Sequence, residues 1–283
     1  MYQTIIDLQS QHYIDAINEL PKNTTGVYYF LDNNHYPLYI GKSLDIKNRI
    51  KSHISVASSD GRKQRMLSQT GYISYKPMAG EYGALFYEAA EVKKFLPLYN
   101  RQLRQQRHFC SIKISPEKKQ VIEYTSEILL DHIEDYYGLF KSRKLAQSHL
   151  ENLCENSSAC KYRCGLSLRK PCFNMQLGKC NYSCENKDSS TITSDIRAAL
   201  ENIRLKQWPY SSAIAFKETF SDSNLPQYII IDQWHFLGVY DNVDAFKSNN
   251  HKNNSIFLDR DYYRLVSQLI YRQRHKDERI IEL

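Results

Sequence analysis

Gly26-Val27-Tyr28-Tyr29-Phe30-Leu31, a polar turn, and then Leu38-Tyr39-Ile40-Gly41-Lys42 form the stretch whose reading decides the fold. Gly26, Tyr28 and Phe30 alternate with Val27, Tyr29 and Leu31, the period of two that a strand requires. Setting Tyr28 opposite Tyr39 places Leu31 against Tyr36 and leaves Asp32 to His35 as a four-residue hairpin turn. The two phenols then meet as a cross-strand pair on one face. Gly41 closes the second strand, and Ser43 is suited to cap the helix that follows. Tyrosines paired in a hairpin are usually packing, so their neighbours decide.

The charge around the hairpin is the first such neighbour. The chain of 283 residues carries a formal net charge of +7. Residues 42–65 hold Lys42, Lys47, Arg49, Lys51, Arg62, Lys63 and Arg65 against Asp45 and Asp60, a local net of +5. Residues 93–107 hold Lys93, Lys94, Arg101, Arg104 and Arg107 with no acid, a further +5 that leaves the remainder at −3. Solvated helix faces explain scattered lysines but not this segregation. A polyanion such as nucleic acid is the expected partner, with Lys47, Lys51, Arg62, Lys63, Arg65, Arg101 and Arg104 as candidate DNA contacts.

Working outward, residues 1–20 read as a helix ending before Pro21. After the hairpin, a helix over residues 43–57 buries Ile46, Ile50, Ile54 and Ala57, with Arg49 and His53 four apart beside that stripe. A short basic helix spans residues 61–69, and a third strand runs from Tyr72 to Lys76. In the helix over residues 81–96, Leu85, Ala89, Val92 and Leu96 define the apolar stripe, and Glu88 falls inside it. A carboxylate there needs a partner: either a salt bridge to a residue such as Arg49, or a metal ion.

Gly26-Val27-Tyr28, Tyr39-Ile40-Gly41-Lys42, Arg49, Glu88 and Asn100 together resemble the GIY-YIG nuclease signature, and Leu20-Pro21 resembles the lead-in of UvrC-type excinucleases. The resemblance covers residues 20–104. It implies an α+β fold, a three-stranded antiparallel sheet flanked by helices, and hydrolysis of DNA phosphodiesters. It implies that Glu88 holds one divalent cation, Mg²⁺ or Mn²⁺, since only one acidic residue matches a ligand position. Arg49 would bind the phosphate. Tyr28 and Tyr39 would position and deprotonate the water, with Lys42 or the metal stabilising a phenolate, and Asn100 would support the site. Which tyrosine is the base stays open. Where many UvrC-type enzymes carry another tyrosine, this chain has His53, readable as proton acceptor, phosphate donor or surface histidine.

Further on, strands are expected over residues 108–114 and 120–124. Tyr136-Tyr137-Gly138 followed by a helix over residues 141–153 resembles the segment after the nuclease domain of UvrC proteins. Cys160, Cys172, Cys180 and Cys184 follow in a C-x11-C-x7-C-x3-C spacing. Four thiolates suit an iron–sulfur cluster or tetrahedral zinc, and spacing does not separate them. The resemblance to UvrC-type proteins implies a [4Fe-4S] cluster; structural thiols are the plain alternative. The C-terminal part reads as a small α+β domain without a catalytic constellation: a helix over residues 196–205, strands over 212–216, 228–232 and 234–240, and an amphipathic helix over 261–274.

The expected organisation is a nuclease domain over residues 1–104, a cysteine-bearing middle region over 105–190, and an α+β domain over 191–283. No run of 18 or more apolar residues occurs and the N-terminus lacks a leader pattern, so a cytoplasmic protein is expected; a monomer is also expected. The shortened plan resembles short UvrC homologues. It implies an endonuclease, induced by DNA damage, that makes only the 3′ incision beside a lesion on DNA handed over by UvrB, with UvrA upstream. A restriction or mobile-element GIY-YIG endonuclease and a catalytically decayed DNA- or UvrB-binding adaptor are the alternatives.

Overall fold

The computed structural model describes residues 4–56, 60–100, 109–116, 118, 120–156, 159–167, 172–178, 189–248, 255–272 and 278–283. The chain divides into two compact units. One comprises residues 1–106, 210–253 and 261–283; the other comprises residues 107–209 and 254–260. The C-terminal region expected as a separate domain over 191–283 is therefore split, and most of it groups with the nuclease segment.

In the first unit, strands β1 (Thr4–Asp7), β2 (Gly26–Leu31), β3 (Pro37–Ser43) and β4 (Tyr72–Pro77) form one antiparallel sheet in the order β1-β4-β2-β3. This corrects two expectations. The sheet has four strands rather than three, and residues 1–20 are a strand followed by helix α1 (Tyr13–Glu19) rather than one helix. Thr4 to Asp7 covers the outer edge of β4 and so supplies backbone partners there.

The hairpin register also differs. Tyr28 faces Gly41, and Tyr39 faces Phe30, with an irregularity that sets Leu31 against Pro37. The loop is longer than expected because Asp32 organises it: its Oδ1 accepts from the N–H groups of Asn34 (2.9 Å) and Tyr36 (2.8 Å). The slip is two residues, and a shift of two leaves every side chain on its original face. Tyr28 and Tyr39 thus remain neighbours, diagonally rather than directly, with ring centroids 6.0 Å apart.

The β2 strand is buried along its length and divides two cores. Tyr28, Phe30 and Ile73 pack with α1, α2 (Ile46–Val56) and α3 (Gly61–Gln69) through Ile17, Ile46, Ile50 and Met66. Val27, Tyr29, Leu31 and Ile40 pack on the other side against Ala84 and Val92 of α4 (Glu81–Phe95). The stripe on α4 is Ala84, Ala89 and Val92 with Phe86; Leu96, expected in it, is exposed. The α2 helix starts three residues later than expected, because Ser43 belongs to β3 and the side chain of Asp45 accepts from Asn48 N–H (3.0 Å).

Beyond α4 stands a second antiparallel sheet, ordered β10-β9-β8-β11, from β8 (Ile214–Thr219), β9 (Pro226–Asp232), β10 (His235–Tyr240) and β11 (Ile280–Glu282). Phe86 of α4 stacks on Phe236 (5.5 Å), and Tyr82 meets Phe216 edge-on (5.4 Å).

The second unit holds a sheet ordered β6-β5-β7, from β5 (Cys110–Ile114), β6 (Ile122–Thr125) and β7 (Tyr136–Phe140). A helix over Arg143–Asn156 buries Ala146 and Leu150 against it, and Cys110, Cys154, Cys160 and Cys164 share that core. Another helix covers Ser189–Leu200, so the helix expected over 196–205 begins and ends earlier.

Candidate active site

The site grows from the close approach of Tyr28 to a glycine. Gly41 stands opposite Tyr28 on β3, and a Cβ there would lie 2.5 Å from the Tyr28 hydroxyl and 2.9 Å from Cε1 of Tyr39. Only a residue without a side chain leaves room for both rings. Tyr28 is fully buried. Its hydroxyl is 2.9 Å from His53 Nε2 and accepts from Arg49 Nε at 3.4 Å. Burial, with the neighbouring Tyr39 phenol, pushes the Tyr28 phenol well above its ordinary range, so it stays protonated.

His53 is the clearest correction to the sequence reading. It is not a surface residue but is 7 % exposed, ringed by Tyr28, Phe30 and Tyr39 at centroid separations of 5.3–5.6 Å. Burial, then the Arg49 and Lys63 charges, lower its pKa to about 4. At neutral pH the ring is therefore uncharged. Its Nε2 and the Tyr28 hydroxyl share one hydrogen bond, with the donor set by the ring tautomer.

Tyr39, Arg49 and His53 line one cleft together with Ser52, Asp60, Arg62, Lys63, Met66 and Tyr99. Tyr28 lies behind it. Asp60, which the sequence reading passed over, caps α3 by accepting from the N–H groups of Arg62 (3.0 Å) and Lys63 (3.3 Å), and so fixes those two cations at the cleft. Arg62 donates to the Tyr99 carbonyl at 2.8 Å. The signal for Asp60 was legible as an acid before Gly61 at a helix start.

Asn100 and Glu88 belong to the free edge of β3. The side chain of Asn100 takes both outward groups of Ile40: Oδ1 accepts from Ile40 N–H (2.9 Å) and Nδ2 donates to its carbonyl (2.6 Å). Tyr99 N–H donates to the Leu38 carbonyl at 3.0 Å, and further along the same edge the Lys42 backbone N–H favours the charged form of Glu88. An edge that would otherwise be unpaired is thus closed by Asn100 and Tyr99. Lys42 Nζ does not turn toward the phenols; it pairs with Glu81 at 2.5 Å.

Burial raises the Glu88 pKa to about 6, opposed by the Lys42 N–H and by the charges of Lys42 and Arg49. Among the described residues no Glu88–Arg49 ion pair forms, and no group of three or more His, Cys, Asp or Glu is arranged around a metal. A half-buried carboxylate without a side-chain cation bonded to it fits a Mg²⁺-type ion, which takes one or two carboxylates and fills its sphere with water and phosphate oxygens.

Of the remaining candidates, Lys47 donates to the carbonyls of Asn18 (2.5 Å) and Leu20 (3.1 Å), Arg65 donates to the Gly61 carbonyl, and Lys51 is exposed. Arg101 and Arg104 lie outside the described residues, as do Cys180 and Cys184. Cys160 and Cys172 are buried, and the sulfur atoms of Cys154 and Cys164 are 3.7 Å apart.

Comparison with known proteins gives the family. Residues 24–101 match the UvrC-like GIY-YIG domain, and residues 109–201 match the UvrC/Cho excinuclease middle domain. An excinuclease Cho of Salmonella typhi is 34 % identical over 83 % of this chain and 79 % of its own length. The chain belongs to the UvrC/Cho excinuclease family. An excinuclease Cho of Escherichia coli K12 is 33 % identical, over 83 % of this chain and 78 % of the relative. The crystal structure of the N-terminal endonuclease domain of UvrC from Thermotoga maritima, bound to magnesium, aligns with a TM-score of 0.29 and 26 % identity, covering 32 % of this chain and 99 % of that one. As a UvrC/Cho excinuclease homologue, the chain is an endonuclease of the GIY-YIG type. No described helix is long and apolar enough to cross a membrane.

Proposed function

We propose that this chain makes a single incision, 3′ to a lesion, in damaged duplex DNA presented by UvrB after UvrA has loaded it. The observation that carries the reading is the joint placement of Tyr39, Arg49 and His53 in one basic cleft with Tyr28 behind them. The matched UvrC/Cho middle domain, absent from the motif of a bare nuclease, favours a repair task over a restriction one.

In this reading Glu88 holds a divalent cation, which supplies charge neutralisation at the scissile phosphate. Arg49 binds a phosphate oxygen through the guanidinium edge not given to Tyr28. Tyr39, the one of the two motif phenols that lines the cleft, takes the proton of the attacking water as its phenolate, its own hydroxyl proton having passed to solvent. Tyr28 stays protonated and holds Arg49 and Tyr39 in place, anchored by its bond to His53. Asn100 keeps the edge strand, and with it Tyr39, at fixed height by tying down Ile40. Arg62 and Lys63 extend the cleft for flanking phosphates.

An incision assay on a site-specifically damaged duplex tests this. The expected result is one nick 3′ to the lesion that requires UvrA, UvrB and Mg²⁺ or Mn²⁺ and disappears in Glu88→Ala. Cutting of undamaged DNA at a fixed sequence would instead identify a restriction or mobile-element enzyme, and no cutting with any metal would identify a decayed adaptor.

A further inference from the structure

The helix that carries Glu88 has no cap of its own. Its N-cap residue, Gly80, offers no side chain, yet the first turn of a helix leaves N–H groups without partners. Those partners come from the far end of the chain. Glu218 of β8 accepts from Tyr82 N–H through Oε1 (3.0 Å) and from Gly83 N–H through Oε2 (2.7 Å). Gln227 of β9 accepts from Ala79 N–H at 3.0 Å. The approach is close: a Cβ on Gly80 would stand within 3 Å of the Glu218 carboxylate.

The same face of α4 is gripped further along. Phe86 stacks on Phe236, and Lys93 pairs with Asp261 at 3.5 Å while lying 4.2 Å above the Tyr262 ring. Toward the nuclease sheet, α4 presents Glu81 and Glu88: Glu81 pairs with the Lys42 ammonium at 2.5 Å, and Glu88 lies where the Lys42 backbone N–H and the Lys42 and Arg49 charges favour its carboxylate. The α4 helix is therefore held between β3 and the C-terminal sheet, and its position along its own axis is set at the capped end.

We infer that Glu218 is a positioning residue for Glu88: the C-terminal segment caps α4 with it and so fixes the carboxylate where the divalent cation binds. The inference rests on Glu88 being the cation ligand. A segment that merely covered an apolar helix face would need only the Phe86–Phe236 and Tyr82–Phe216 contacts. A carboxylate taken out of water costs solvation, and it is tolerated here because two N–H groups and the positive end of a helix receive it. That arrangement specifies position as well as cover.

The test is Mn²⁺ titration of the full chain followed by electron paramagnetic resonance, with hydrogen exchange of α4 measured alongside. Glu218→Ala is expected to weaken Mn²⁺ binding about tenfold, the lower end of what loss of an outer support to a ligand costs, and to speed exchange at Tyr82 and Gly83. Glu218→Gln, which keeps one acceptor oxygen but turns an NH₂ toward the second N–H, is expected to fall between alanine and wild type. Wild-type Mn²⁺ affinity in folded Glu218→Ala overturns the inference, even with lowered stability. Should alanine prevent folding, wild-type affinity in Glu218→Gln overturns it and weakened affinity supports it. Glu88→Gln is run in parallel. If it binds Mn²⁺ as wild type does, the ligand assignment fails; if it loses Mn²⁺ while the Glu218 variants do not, only the positioning role fails.

Discussion

Gly41 and Tyr28 occupy one cross-strand position of the sheet, and the ring of the second fills the space where the first has no side chain. A Cβ at residue 41 would stand 2.5 Å from the Tyr28 hydroxyl. The hydroxyl is also the atom that joins His53 and Arg49, so glycine here is a condition of the whole cluster.

Gly41→Ala is accordingly expected to fold with a loss of about 1–3 kcal/mol, the usual range for overpacking. Incision should fall much further, on the order of a hundredfold, because displacing Tyr28 misplaces Arg49 and Tyr39 together. Urea unfolding and single-turnover incision measure the two effects separately. Equal, small losses in both would show that Tyr28 is packing alone.

Asn100 gives a prediction of a different kind, since its amide serves backbone rather than substrate. Asn100→Ala leaves the N–H and C=O of Ile40 without side-chain partners, at about 1–3 kcal/mol for a buried group. Asn100→Asp restores an acceptor for the N–H but sets a carboxylate oxygen against the carbonyl. It is expected to be no more stable than alanine. Thermal unfolding of the three proteins decides it, and an aspartate variant as stable as wild type would contradict the two-sided bond.

These residues also show what the sequence made legible. The period of two placed Tyr28 and Tyr39 on one face correctly, because facing depends only on parity. It missed their register by two, because the loop is set by Asp32 accepting from Asn34 and Tyr36, a side-chain bond that periodicity does not report. Burial of His53 needed the rings of Phe30 and Tyr39 around it, which no spacing on α2 reveals. The strand over Thr4–Asp7 is too short to show alternation against a helical reading. Glu218 was invisible for the simplest reason: it acts on residues 135 and 136 positions away.

His53 predicts an acid sensitivity. Its folded pKa of about 4 lies below the ordinary 6.5, so between these values the unfolded chain holds a proton that the folded one does not. Stability then falls as pH drops from 6.5 toward 4 and loses nothing further below that. Glu88 acts oppositely over part of this range: its folded pKa of about 6 exceeds the ordinary 4.5, so folding retains a proton there. Comparing wild type with His53→Gln, which keeps an acceptor for Tyr28, isolates the histidine. Between pH 7 and 4.5 the wild type should lose about 2–3 kcal/mol more than the variant. Parallel curves would mean that the imidazole titrates freely.

With Glu88 as the proposed cation ligand, its carboxylate would set the pH dependence of cation binding before any DNA is present. Burial holds its pKa near 6, and a protonated carboxyl is not a ligand for a hard cation. Proton and metal therefore compete. Mn²⁺ affinity should be flat above about pH 7 and fall roughly tenfold per unit below pH 6. Calorimetric titration in buffers of different ionisation enthalpy should show proton release on binding near pH 6 and almost none at pH 8. Glu88→Asp, with a shorter arm from the same helix, retracts the carboxylate toward α4. It should bind more weakly at every pH while keeping the same kind of curve. Affinity that does not change between pH 5 and 8 would place the cation on another group, since no carboxylate with a pKa near 6 could hold it unchanged over that range.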